Sequence, residues 1–419
     1  MNKNYTAGLT LLSLVALLFS SCLKDSVKRS YTIMRPVFAL KQDVYNNIRS
    51  NAPQPIAAPG KMFLLGQYIY LTEQDKGIHV IDRTNPQQLV NVAFIPIPGN
   101  QDVAVKDGAL YADCASDLLV LDVTQPSNVS LLSFISNVFP DKLTRNGYHC
   151  DTNHVIVDWV IKDTLIEEKD AHNFGHLMFE DSFAGQAIGN ASSSGGGTQA
   201  APGLSGSTSR FGIVNDYLYT VSTSTLKTFH AAVPTNPLEV GSQTIGWNIE
   251  TLYPFKDHLF IGSQTGMFVY SLTNPSNPQH VSSFAHATQC DPVIADDHFA
   301  YVTLRSGTNC QGFNNQLDVL DIDNINSPSL VKTLGLTNPR GLSKDGNLLF
   351  VCDGPGGLRI LDASLPANVS VSQTIPMSSP NDVIAWDGIA YVVAEDGLYR
   401  FNYSGFPQVN AMGKLVFSK

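Results

Sequence analysis

"GIHVIDRTNPQQLV", residues 77–90, runs through β-branched and apolar residues to Asp82, turns at Thr84-Asn85-Pro86 and resumes a β-rich run at Leu89-Val90. Val and Ile suit a half-buried pleated surface, and Asp, Asn and Pro suit a tight turn, so the stretch reads as a strand and the turn after it. The pattern returns as "DLLVLDVTQPSNVS" at 117–130, "QLDVLDIDNINSPSLV" at 316–331 and "GLRILDASLPANVS" at 357–370. Aligned on the turn proline (Pro86, Pro126, Pro237, Pro275, Pro328, Pro366 and Pro407), the units are spaced by 40, 111, 38, 53, 38 and 41 residues. A period near 40 with two insertions is a repeat array.

Each unit carries four short strand signals. In the second these are "DVAV", then "ALYAD" after Asp107-Gly108, then "LLVLDV", then "SLLSFI". Asp-Gly between β-rich runs signals a hairpin, because Gly accepts positive φ without steric cost. Asp387-Gly388 repeats it in the last unit. Four strands per repeat, arranged radially, predict an all-β chain: a single β-propeller of about seven four-stranded blades. The quoted stretch is then the third strand of a blade and the turn into its fourth.

The units "G-L-x-I-L-D" followed by a Pro-containing turn resemble the LVIVD-repeat family of secreted bacterial propellers, over residues 62–419 apart from one long insertion. The resemblance implies the fold and implies no reaction. The three Trp of the chain leave too little of the Gly-His and Trp-Asp punctuation that WD-repeat blades need.

The start of the chain, "MNKNYTAGLTLLSLVALLFSSC", has Lys3, an apolar stretch from Leu9 to Phe19, and small residues before Cys22. That stretch is too short to span a ~30 Å hydrocarbon core at ~1.5 Å per residue and reads as a signal peptide. Small residues directly before a Cys resemble a bacterial lipobox, which implies lipidation at Cys22. The expected organisation is a signal peptide at 1–21, a lipidated Cys and tether at 22–60, and a propeller at 61–419 with a flexible insertion at about 140–209. "YTIMRPVFAL" in the tether is a candidate ring-closing strand, partnering the C-terminal "GKLVFSK". The expected location is the outer membrane or surface of a Gram-negative cell, anchored by lipid. With net charge −10 among 419 residues and no Lys/Arg-rich run, nucleic acid is not an expected partner.

Registering the units on the second-strand aromatics (Tyr70, Tyr111, Tyr219, Tyr301, Tyr391) puts Lys61, Asp102, Arg210, Glu250, Asp291, Arg340 and Asp382 where each blade's chain starts its inner strand. This charged ring is either a ligand-binding mouth or a set of mutual ion pairs. Its mixed signs favour ion pairs. Asp82, Asp122, Asp321 and Asp362 read as turn residues accepting backbone N–H bonds, not as catalytic acids. Both insertions, 140–209 and the "LRSGTNCQGFNNQ" loop at 304–316, fall on the face of the ring, where long loops on a rigid scaffold carry function. Within the first, Val155–Ile161 is a predicted strand and "GNASSSGGGTQAAPGLSGSTSR" a mobile tract. In an oxidising compartment Cys290 and Cys310 are the first disulfide candidates and Cys114 and Cys150 the weaker ones. Of His149, His154, His172 and His176, the second pair lies in a mobile-looking polar segment, and neither a metal, a cofactor nor a catalytic motif is predicted. Two function classes result: a scaffold binding a protein or glycan through the loop-rich face, and a glycan-active enzyme using carboxylates at the funnel.

Overall fold

A computed structural model of the protein describes residues 28–167, 178–180, 204–285, 292–306 and 314–418. The chain divides into two units. The larger holds seven antiparallel sheets, each with four strands that follow one another in sequence. Blade 1 is built from Pro59–Leu65, Tyr68–Glu73, Gly77–Asp82 and Val90–Pro96. The remaining blades begin at Val103, Phe211, Ile249, Val293, Leu342 and Pro380. The unit is a seven-bladed β-propeller, as the repeat predicts.

Sequence chemistry explains the blades one strand at a time. The inner three strands are buried on both faces, as in Asp117–Asp122, whereas the outermost alternates, as in Ser130–Ile135. Sheets stacked on sheets bury both faces of all but the rim, which faces water on one side. Hairpins turn at Asp107-Gly108 and Asp387-Gly388, all four residues at positive φ. Asp82, Asp122, Asp321 and Asp362 each accept the backbone N–H two residues on, at 2.7–2.9 Å. Ser271 and Asn402 do the same in blades 4 and 7.

Between third and fourth strands every blade has a register shift at the same place, from Val80/Ile81 in blade 1 to Arg400/Phe401 in blade 7. A bulge adds twist, so seven identical bulges turn each outer strand by the same sense against its blade. The second strands place Tyr70, Tyr111, Tyr219, Phe260, Tyr301, Phe350 and Tyr391 in equivalent buried positions. Some of these hydroxyls join blades: Tyr111 donates to the Pro234 carbonyl and Tyr219 to the Pro275 carbonyl, each at 2.8 Å. At the seam between the last and first blades, the Arg83 guanidinium donates to the Tyr391 hydroxyl, also at 2.8 Å.

Among the described residues the ring closes without strand exchange. The last strand, Gln408–Val416, pairs only with Gly397–Gly405, and the seam is packed by side chains of Met62, Leu64, Ile69, Ile384, Val393 and Leu398. The tether instead runs along the rim as a strap. Its helix Lys41–Asn46 is fixed by Lys41 and Tyr45 on buried Asp117 of blade 2. Asn51 bridges to Phe94, and the Ile56 carbonyl accepts Ser418 N–H at 2.9 Å.

The smaller unit comprises parts of the N-terminal segment and the insertion. Within it Tyr31, Thr32 and Ile33 pair antiparallel with Glu180, Phe179 and Met178. Thus "YTIMRPVFAL" pairs with the insertion, and the predicted strand at Val155–Ile161 is part of a longer one, His154–Glu167. Tyr31, Ile33 and Ile166 form its core.

Candidate functional site

Two arrangements occupy the face where inner strands start. The first is the central channel, which a segment of the insertion fills. Leu204–Ser205 adds a fifth strand to blade 1 beside Leu64 and Phe63, and Gly206–Ser209 is buried. Its backbone and hydroxyls touch five blades. Gly206 N–H donates to the Met62 carbonyl at 2.9 Å, Ser207 N–H to Asp382 at 3.2 Å, and Ser209 Oγ to Asp102 at 3.2 Å. Leu342 N–H donates to Ser207 Oγ at 2.6 Å and Leu252 N–H to the Ser209 carbonyl at 2.8 Å. The end of the tract expected to be mobile is therefore fixed. Small side chains fit a narrow channel, and a polar chain satisfies the groups lining it.

Among the residues of the expected charged ring, Asp102 and Asp382 bond to this plug. Lys61 pairs with Asp102 at 2.7 Å, and Asp102 also accepts the Arg210 N–H. Burial lowers the Lys61 ammonium, aided by the charge of Arg210 and opposed by Asp102. Burial raises the Asp382 carboxyl well above the usual carboxylate range. Arg210 Nε donates to the Glu250 carbonyl at 3.3 Å, and Arg340 to Asn381 at 3.2 Å. Burial also lowers Arg305 and Arg340, which lie close enough to repel. Asp102 is 1% exposed and Asp382 fully buried. Asp291 lies outside the described residues.

The second arrangement is a pocket of about 260 Å³. Sequence reading nominated this face and missed the pocket. Its wall is the hairpin Thr144–Arg145/Tyr148–His149, turned by Asn146-Gly147 at φ 49° and 79°. Asn-Gly was the signal that could have found it. The insertion supplies Asp141, Lys142, Thr144 and Arg145, and the loops of blades 1 to 3 supply Asp75, Gln101, Ala115, Arg210 and Thr223. Ion pairs clamp the insertion down: Lys142 on Asp113 and Arg145 on Asp75. Asp113 is fully buried and also accepts the N–H groups of Gln101 and Asp102, at 3.0 and 2.8 Å. An anion so buried is costly without a cation, so Lys142 makes the clamp specific. Asp141 accepts the Thr223 hydroxyl at 2.8 Å.

The cysteines divide. Cys114 and Cys150, the weaker disulfide candidates, are buried free thiols, as is Cys352. Cys114 contacts the Pro98 carbonyl at 3.3 Å, and burial raises both it and Cys150. Cys22, Cys290 and Cys310 lie outside the described residues, with His172 and His176. His154 is held by Asp151 at 2.8 Å. Among the described residues no group of three or more His, Cys, Asp or Glu is placed to hold a metal ion.

A model of the LVIVD repeat matches residues 99–138, 310–334 and 340–375, within blades 2, 5 and 6. No curated protein matches the chain. Among solved structures, the chain is similar to a periplasmic gluconolactonase of Pseudomonas aeruginosa, at 12% identity and a TM-score of 0.52, over 85% of this chain and 96% of that one. It is also similar to a protein from Lactobacillus plantarum, at 12% identity and a TM-score of 0.51, over 88% and 100%. Identities this low speak for the fold alone. The chain carries LVIVD repeats, as blades of a seven-bladed β-propeller.

Proposed function

We propose that the protein is a lipid-anchored, extracytoplasmic propeller that binds a ligand through its loop-rich face. One observation carries this reading: an insertion is clamped by two ion pairs over the loops of three blades, enclosing a polar pocket of about 260 Å³. A concave site with convergent polar groups on a rigid scaffold is the usual form of a ligand site. The ring carboxylates favour binding over turnover, since Asp102 and Asp382 are held beneath the plug by Lys61, Ser209 and Ser207. The anchor reading rests on Cys22 and the apolar stretch before it, as two or more acyl chains hold a protein at a membrane where one is marginal.

The test is site-specific photo-cross-linking in intact cells. A photoreactive residue at Thr144, on the pocket wall, is compared with one at Asn326, in a third-to-fourth-strand turn on the opposite face. A ligand captured at Thr144 and absent at Asn326 supports the reading. Equal capture at both, or none at Thr144, removes it. For the anchor, labelled palmitate should enter the wild type and not Cys22→Ser; equal labelling of both discards it.

A further inference from the structure

A tryptophan is held exposed in a loop that is hydrogen-bonded to Thr223, a residue of the pocket wall. Trp247, between blades 3 and 4, is 79% exposed, although the chain around it is fixed. Ile245 and Ile249 donate their N–H groups to the Ser224 and Thr223 carbonyls, at 3.0 and 2.9 Å. Asn248 sits at φ 52°, which few side chains favour, and its Nδ2 donates to Gln264 Oε1 at 3.0 Å. A Cβ on Gly246 would lie 3.2 Å from the Phe268 ring. The loop thus holds a large apolar ring in water, and its two flanking residues hydrogen-bond the Thr223-Ser224 turn, of which Thr223 lines the pocket.

The pocket itself offers matched polarity. Asp141 is an exposed carboxylate that accepts a hydroxyl and a weak backbone N–H from Thr223. Arg210 is half-buried and forms no salt bridge with a carboxylate among the described residues. Lys142 and Arg145 are already tied to Asp113 and Asp75. The site therefore joins Asp141 and Arg210 with the neutral polar side chains of Gln101, Thr144 and Thr223, a mixed set of acceptors and donors. Its few apolar side chains, Leu143, Ile156 and Ala115, make no cleft for a hydrophobic peptide residue or an acyl chain.

We propose that this pocket binds a saccharide, with Trp247 as the platform for its apolar C–H face. The proposal rests on reading the pocket as the protein's binding site. Sugar hydroxyls donate to Asp141 and accept from Arg210, while an indole stacks on the ring face and keeps its own N–H available. The volume lies just under the ~300–1,000 Å³ of sites for drug-sized ligands, which suits a terminal sugar ring better than a long chain.

The experiment is an array of neutral and acidic glycans probed with the full propeller, followed by calorimetry on the best binder. The variants are Trp247→Ala, Trp247→Phe and Asp141→Ala, each checked by thermal melting. The wild type should bind a glycan class, and Trp247→Ala should weaken it roughly ten-fold, equivalent to ~1.4 kcal/mol. Trp247→Phe should recover most of the loss, and Asp141→Ala should weaken binding independently. Glycan binding unchanged in Trp247→Ala overturns the platform. An array without binders overturns the ligand class, and if Thr144 still cross-links a ligand, the binding-face reading survives it. Saturable binding of inorganic phosphate in place of any glycan likewise overturns the class.

Discussion

Asp382 and Asp117 are both buried carboxyls, and their surroundings drive them in opposite directions. At Asp382 burial dominates the Val383 N–H and the charge of Lys61, so the folded pKa rises well above 3.8. The folded state then binds more protons, so stability is greatest below pH 3.8 and falls as pH rises toward the folded value. Asp382→Asn keeps an acceptor and carries no charge. It is expected to be more stable than wild type at about pH 8 and to lose that advantage on acidification toward about pH 4, read by melts across the range. An advantage that grows on acidification would contradict the assignment. Asp117 is the converse: burial raises it, but the Asn137 N–H, Lys41, Tyr45 and Ser116 hold it below 3.8. Its contribution is present above that value and lost as pH falls through the folded one. Tyr219→Phe should cost about 1 kcal/mol in chemical denaturation, the loss of one inter-blade hydrogen bond to the Pro275 carbonyl. A loss much above that would mean the ring itself had shifted. The aromatic position was legible in five blades as Tyr. Phe260 and Phe350 were missed because they share the packing and lack the hydroxyl. The Asp at four third-strand ends was read correctly, because an Asx turn depends on its own neighbours two residues away.

Strands and hairpins carry signals of very different strength. Asp107-Gly108 announces its turn in two letters, whereas the bulge in each blade has no mark. Its flanking residues are as varied as Val80/Ile81, Thr228/Phe229 and Arg400/Phe401. The bulge answers to the curvature of a sheet packed in a ring, which is a tertiary demand. The wall hairpin at Asn146-Gly147 lies between the two cases, as its turn was legible and its role was not. Gly147→Val places a β-branched residue at φ 79°, where left-handed backbone costs an L-residue ~1–2 kcal/mol. Hydrogen exchange at Thr144–His149 should accelerate while the propeller's melting temperature holds. A matching fall in the melting temperature would show that the hairpin supports the ring and not just the pocket.

At the scale of the molecule, period alone gave the blade count, since each repeat folds as one sheet. Ring closure and the plug were not legible. They depend on pairings between residues as distant as Met62 and Gly206, or Ser207 and Leu342, and composition suggested only a loose linker. Gly206→Val tests the plug: a Cβ there would lie 1.9 Å from Asp382 Oδ2. The segment could not seat, and exchange should rise at the amides that contact it, Leu252 and Leu342, and at the blade 1–7 seam. Unchanged protection would show that the ring holds itself. The plug precedes blades 3 to 7 in the chain and bonds to blades 4, 6 and 7 as well as to blades 1 and 2. Blades 6 and 7 reach it last, through Leu342 and Asp382. A propeller of six or eight sheets would leave those two partners out of register with Ser207. The plug thus serves as a gauge around which the ring is built, and it accepts only a circle of the right circumference.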